Sequence, residues 1–152
     1  PVETASQPPQ TQTTTVEGRK LVDVTLKVEA PFSTATLTIQ ENGSISYIAK
    51  QRGQEEIQSL GVLTTAQMGI LTKLFEEVSF LDMKSRTKGP EDPEDGSTYT
   101  ISVRILAQGP PELSFPGIQS VSCYQFSCEP NFLKLKDKII ELWGKDILEV
   151  GV

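Results

Sequence analysis

Apolar and polar residues alternate along three stretches of the chain, which is the pattern of half-buried β-strands. The first is LVDVTLKVE, from Leu21 to Glu29. The second, TATLTIQENGSISYIAK, alternates up to Asn42-Gly43 and then away from it. Because Asn-Gly suits a tight turn with positive φ, this stretch predicts a β-hairpin. The third is TYTISVRIL, and a Gly-Pro-Pro turn at 109–111 followed by ELSF predicts a second hairpin.

Two other segments have apolar residues at helical spacing. The first predicted helix runs from Thr64 to Val78, after the polar stretch QRGQEEIQS, and Thr64 with Gln67 forms a capping-box pattern. The second begins at Pro130, which suits a first helical position, and is expected to stop at Gly144. This order of elements predicts an α+β fold, in which an antiparallel sheet of about five strands packs against two helices as a two-layer sandwich.

The front of the chain, PVETASQPPQTQTTTVEGRK, has a different composition. Its aliphatic residues are only Val2, Ala5 and Val16, so burial cannot offset the entropy of ordering it. We therefore predict a disordered Thr/Gln/Pro-rich tether over residues 1–20 and a single α+β domain over residues 21–152. The C-terminal stretch KDILEVGV is predicted either to add a short strand or to pack on the domain.

The tether bears on where the protein acts. Segments of this composition separate membrane anchors from folded domains, and the chain starts with Pro1 instead of Met. No stretch approaches the roughly 18 apolar residues of a membrane span, and no signal peptide is present. Two interpretations stay open: an exported protein or lipoprotein whose signal was removed, or a domain of a longer chain. We expect export to the periplasm, a thylakoid lumen or the outer surface, with a lipid tether as one form of it.

Charge and composition disfavour several functions. The net charge is −6 and the pI about 4.7, so an acidic surface opposes nucleic-acid binding. Without histidine, Ser-His-Asp and Cys-His catalysis and histidine metal sites are excluded, and no glycine-rich phosphate loop is present. We therefore expect no cofactor and no enzymatic activity. The alternative is a hydrolase that uses a carboxylate pair, such as Asp92 and Asp95, without histidine.

Two further features are candidates for partner binding. The acidic residues Glu91, Asp92, Glu94 and Asp95 lie in the predicted loop SRTKGPEDPEDGS, where they could meet a basic partner surface. Asp92, Glu94 and Asp95 are also candidate Ca²⁺ ligands, although their spacing does not match the known Ca²⁺ loop, and a solvated loop is the favoured interpretation. Phe32 lies in the connection after the first strand, where it would either contact a partner or plug the end of the sheet.

The two cysteines, Cys123 and Cys128, lie in SCYQFSC. Their spacing is not the C-x-x-C of a dithiol oxidoreductase. In an extended strand their Cα atoms would be about 16 Å apart, beyond the reach of a disulfide, so pairing requires the chain to bend between them. In an exported protein the disulfide is the expected state.

From Leu26 to Leu142 the chain resembles small bacterial domains of the emfourin kind, and related uncharacterised bacterial and cyanobacterial lipoprotein domains. The matching features are NGSISY, the segment LTTAQMGILTKLFEEVSFLDM, an acidic loop, YTISVRI and a last helix beginning at Pro130. Emfourins inhibit thermolysin-like metalloproteases, so the resemblance implies a similar role. The loop EAPFSTA stands where those inhibitors have a glycine-rich loop, so no inhibitory residue is carried over. We expect a non-enzymatic exported or lipid-tethered domain that binds a protein, as an accessory or assembly factor or as a protease inhibitor.

Overall fold

In the part of the chain that the structure describes, seven strands form one antiparallel sheet, and two helices pack against one of its faces. The computed structural model describes residues 14–16, 19–92, 96–107 and 117–144. The strands lie in the order β5-β4-β3-β2-β6-β7, and β1 pairs with the start of β2. The elements are β1 Thr14–Val16, β2 Arg19–Ala30, β3 Ser33–Ile39, β4 Ser44–Gln51, β5 Ile57–Val62, α1 Thr65–Glu77, β6 Thr98–Ala107, β7 Gly117–Tyr124 and α2 Pro130–Trp143. The predicted α+β fold is confirmed, with more strands than predicted.

The additional strands are β5 and the short β1, and the second hairpin follows a different course from the predicted one. β5 lies in the stretch that the sequence assigned to a connection, and it pairs with β4 along its whole length. The strand that pairs with β6 is β7, which begins at Gly117 and reaches beyond Cys123. The predicted turn at 109–111 and the stretch ELSF lie outside the described residues.

The predicted hairpin around Asn42-Gly43 joins β3 and β4. Gly43 has a φ of 92°, and its N–H donates to the Gln40 carbonyl at 2.9 Å. A Cβ at this position would lie 2.7 Å from the Leu63 carbonyl oxygen, so the turn needs glycine both for its backbone angle and for space. Leu63 N–H in turn donates to the Gly43 carbonyl at 2.8 Å, which ties the hairpin to the end of β5.

The capping signals that the sequence predicted are present at the termini of the helices. At α1, Thr64 Oγ1 accepts the Gln67 N–H at 3.1 Å and Gln67 Oε1 accepts the Thr64 N–H at 2.8 Å, so the capping box is present. At α2, Pro130 is the first helical residue and Gly144 adopts the left-handed conformation just after the last. Within the described ranges, neither helix is long and apolar enough to cross a membrane.

The core lies between the sheet and the helices. Its largest fully buried side chains include Phe75 and Phe80, whose rings meet edge to face at 5.2 Å. At the far end of α2, the Trp143 ring lies 5.6 Å from that of Tyr47 and directly on Gly61 of β5, where a Cβ would come within 2.7 Å of it. The end of α2 thus supports β5 from the buried side of the sheet.

Strand pairing reaches into the segment predicted as a tether. Thr14–Val16 pairs with Arg19–Leu21, and β2 itself begins at Arg19. These contacts are made by backbone groups, which any side chain permits, so a polar composition does not prevent them. The rest of the predicted tether, residues 1–13, 17 and 18, lies outside the described residues, as do residues 145–152 with the predicted C-terminal strand.

Candidate functional site

An aromatic side chain projects from the connection between β2 and β3. The two strands pair as far as Ala30 and Ser33, so Pro31 and Phe32 alone make the turn. Phe32 is 62% exposed and does not plug the end of the sheet. The Arg52 N–H donates to the Phe32 carbonyl at 2.8 Å, and the Arg52 guanidinium lies 5.2 Å from the centre of the Phe32 ring. This cation–π contact holds the ring at the surface.

The surroundings of Phe32 form a shallow basic hollow, which we call the Phe32 tip. The hollow has a volume of about 340 Å³. Arg52 and Lys50 supply its positive charge, and Lys50 Nζ also donates to the Gln54 carbonyl. The lining residues are Ala30, Pro31, Phe32, Ser33, Thr34, Lys50 and Arg52. Phe32 was a sequence candidate, whereas its two basic neighbours come from the next hairpin and were not.

The face of the sheet turned away from the helices carries many hydroxyl groups. Strand register places Ser46, Thr38, Thr25, Ser102 and Ser120 in one row across five strands. The hydroxyls of Ser102 and Ser120 lie 2.7 Å apart, close enough for a hydrogen bond. This open face is therefore mostly polar, as expected for the solvent side of a half-buried sheet.

The open face becomes apolar at its β5 end, where the row of serine and threonine residues continues with Leu60. Leu60 is 78% exposed and Val62 69% exposed, and Ile48 on β4 is exposed beside them. We call these three residues the β5 patch. The sequence did not predict this patch, because SLGV follows a polar stretch that indicates a connection; the two apolar residues at i and i+2 were the available signal.

The opposite edge of the sheet is covered by the chain itself. The Arg86 N–H donates to the Ser122 carbonyl at 2.8 Å, and the Ser122 N–H donates to Ser85 Oγ at 2.9 Å. The Ser127 hydroxyl then donates to the Thr87 carbonyl at 3.0 Å. The segment after α1 therefore covers the outer edge of β7 near its end, where it satisfies both backbone groups of Ser122.

A disulfide joins Cys123 to Cys128 beside this covered edge. The chain bends directly after β7: the Ser127 N–H donates to the Tyr124 carbonyl at 2.8 Å, and the two cysteine Cα atoms come within 5.1 Å of each other. The bend that the sequence required for pairing is therefore present. Such a bond is consistent with an exported protein, because disulfides persist in oxidising compartments.

The acidic loop is only partly described. Asp92 Oδ2 accepts the Gly89 N–H at 2.7 Å, and Glu91 is exposed. Glu94 and Asp95 lie outside the described residues, so the candidate Ca²⁺ set and the candidate carboxylate pair are each represented by Asp92 alone. In the part of the chain that the structure describes, no cluster of three or more His, Cys, Asp or Glu side chains could hold a metal ion.

Comparison with known proteins adds no relative: no family model matches the chain, and neither does any curated protein or solved structure.

Proposed function

We propose that this protein is a non-enzymatic, exported or lipid-tethered domain that binds another protein, with the Phe32 tip as its contact surface. The observation that carries the proposal is the exposed aromatic ring of Phe32, held in place by Arg52. Aromatic residues and arginine are enriched at the centres of protein interfaces, and a ring that is already fixed loses little entropy on binding.

The residues around the ring indicate the chemistry of the partner. Lys50 and Arg52 give the hollow a local positive charge on a chain whose net charge is −6. A partner with an apolar pocket and an acidic rim would complement this surface, because the ring would enter the pocket and the two cations would meet the rim.

The resemblance to emfourins makes a secreted thermolysin-like metalloprotease the first partner to test. The protease is assayed with a peptide substrate while the domain is titrated to micromolar excess. We expect the initial rate to fall, and Phe32→Ala to weaken inhibition about 10- to 30-fold, as for loss of an interface anchor.

The matched control is Phe126→Ala, which removes a ring that is also exposed, at the opposite edge of the sheet. It should inhibit as the unchanged protein does. An unaltered protease rate at micromolar excess of the domain would end the inhibitor proposal, and equal losses for both phenylalanine variants would remove the Phe32 tip from it.

A further inference from the structure

The outer edge of β5 presents backbone groups that no described residue pairs with. Leu63 donates to the Gly43 carbonyl, and the hydrogen-bonded pairs of an antiparallel ladder alternate from there along β4 and β5. Ile57, Ser59 and Gly61 therefore turn their N–H and C=O groups towards β4. The corresponding groups of Gln58, Leu60 and Val62 point outward, where they can pair with a further strand.

This edge lacks the devices that usually keep edge strands apart. The strand IQSLGV has no charged residue and no proline, and three of its four exposed side chains, Ile57, Leu60 and Val62, are apolar. Natural sheets place lysine, proline or a covering segment at such edges. On the other side of this sheet, the segment at Ser85 and Arg86 is such a cover. The β5 edge is therefore available for pairing with a further strand.

β5 can pair with β5 of a second copy in an antiparallel register that is centred on Leu60. If Leu60 faces Leu60 of a second copy, then Gln58 faces Val62, and all three outward residues of each copy find hydrogen-bonding partners. This register forms about six backbone hydrogen bonds and brings the two β5 patches together on the open face. A shift of the register by one hydrogen-bonded pair would leave one outward residue of each strand beyond the end of the partner strand, where its backbone groups find no hydrogen-bonding partner.

Charge supports the same register. Continuing it beyond β5 places Glu56 opposite Thr64 of the second copy, which caps the N-terminus of α1. The first turn of α1 has no acidic residue of its own, so a carboxylate from the second copy would complement the positive end of the helix. By symmetry this contact occurs twice.

We propose that the chain forms a two-fold symmetric dimer by antiparallel pairing of β5 with β5, centred on Leu60. The two sheets join into one, and the Phe32 tips of both copies lie on the same assembly. One strand pair buries less than the roughly 1,200 Å² of a standard interface, so we expect a weak dimer whose population depends on protein concentration. The pairing does not rest on the proposed function, and Phe32→Ala leaves it unchanged.

Sedimentation equilibrium over a concentration series tests the pairing, and substitution of Leu60 tests its register. The mass should rise with concentration from 16.7 kDa towards twice that value. Leu60→Lys and Leu60→Glu should each weaken association at least tenfold, because each places like charges face to face on the axis. An equimolar mixture of the two variants should associate again, since Lys then faces Glu. This rescue is specific to a register in which residue 60 meets residue 60.

The control pair is Ile118→Lys and Ile118→Glu, which alters a residue of similar exposure on the same face at the other edge. These variants should associate as the unchanged protein does. Circular dichroism of all four variants should match the unchanged protein, because both positions are exposed.

A protein that stays at 16.7 kDa throughout the series overturns the proposal. So does a dimer that ignores both Leu60 substitutions, or a Lys–Glu mixture that stays monomeric. A chain truncated after Gly144 that dimerises when the full chain does not would assign the β5 edge to residues 145–152 instead.

Discussion

The two edges of the sheet differ in how the outward backbone groups of the edge strand are paired. At β7, the chain returns after α1 and pairs through Ser85 and Arg86 with the backbone of Ser122. At β5, no described residue pairs with the outer edge, and Leu60 and Val62 are among the most exposed apolar side chains. The β7 edge is covered within the chain at Ser122, whereas the β5 edge offers both backbone hydrogen-bonding groups and apolar surface along its length.

The difference shows what closing an edge requires. The covering segment follows a 3₁₀ turn at Phe80–Asp82, and Phe80 and Met83 are buried beneath it. The disulfide and the turn after Tyr124 hold the other partner, β7, in place. The covered edge therefore depends on anchors in the core, whereas among the described residues β5 is held by its pairing with β4 and by the Trp143 ring beneath Gly61. Substitutions near the covered edge should therefore lower the free energy of unfolding strongly, whereas substitutions on the β5 edge should change it little.

Phe80→Ala should have the largest effect. The side chain is fully buried against Phe75, so its loss leaves a cavity and should lower the free energy of unfolding by about 3–5 kcal/mol. Leu60→Ala, the matched change at the open edge, should change it by less than about 0.5 kcal/mol in the monomer. Urea unfolding at low protein concentration measures both. Equal losses at the two positions would contradict the contrast between the edges.

Loss of the disulfide should have the next largest effect. Cys123 and Cys128 close a short loop with a sequence separation of 5, for which the chain-entropy relation gives about 2 kcal/mol. A reducing agent should therefore lower the midpoint of thermal unfolding by about 5–10 °C. The double variant Cys123→Ala/Cys128→Ala should unfold at a lowered temperature that no longer responds to the reducing agent. A midpoint that the reductant leaves unchanged in the unaltered protein would mean that the bond contributes nothing to the covered edge.

Local signals explain which parts of this fold could be predicted from the sequence. Asn42-Gly43 and the pair Thr64 and Gln67 each act within four residues, and the structure contains the hairpin and the capping box that they predict. The same holds for Pro130 and Gly144 at the ends of α2. In each case one side chain or one backbone angle decides the conformation without help from distant residues.

The parts that sequence analysis missed depend on distant contacts. β5 is a strand because β4 pairs with it and because Trp143, more than eighty residues later, packs on Gly61. The cover on β7 uses backbone groups and serine hydroxyls, which leave no apolar pattern to recognise. The same applies to the candidate site: Phe32 stood out in the sequence, but Arg52, which holds its ring, comes from another hairpin.

Ser85→Ala should have the smallest effect and should be local to the covered edge. The Ser122 N–H donates to Ser85 Oγ, and without the hydroxyl it would face water or remain unpaired, at a cost of about 0.5–1.5 kcal/mol. The Ser122 amide should then exchange with deuterium about 3- to 10-fold faster, while the Arg86 amide, which donates to the Ser122 carbonyl, should change little. The Leu60 amide should exchange fast in both proteins at low concentration and slow down as concentration rises, because no described residue of the same chain pairs with it and a second copy would cover it. Protection of Leu60 that is independent of concentration would show that the two edges are equally closed within one chain.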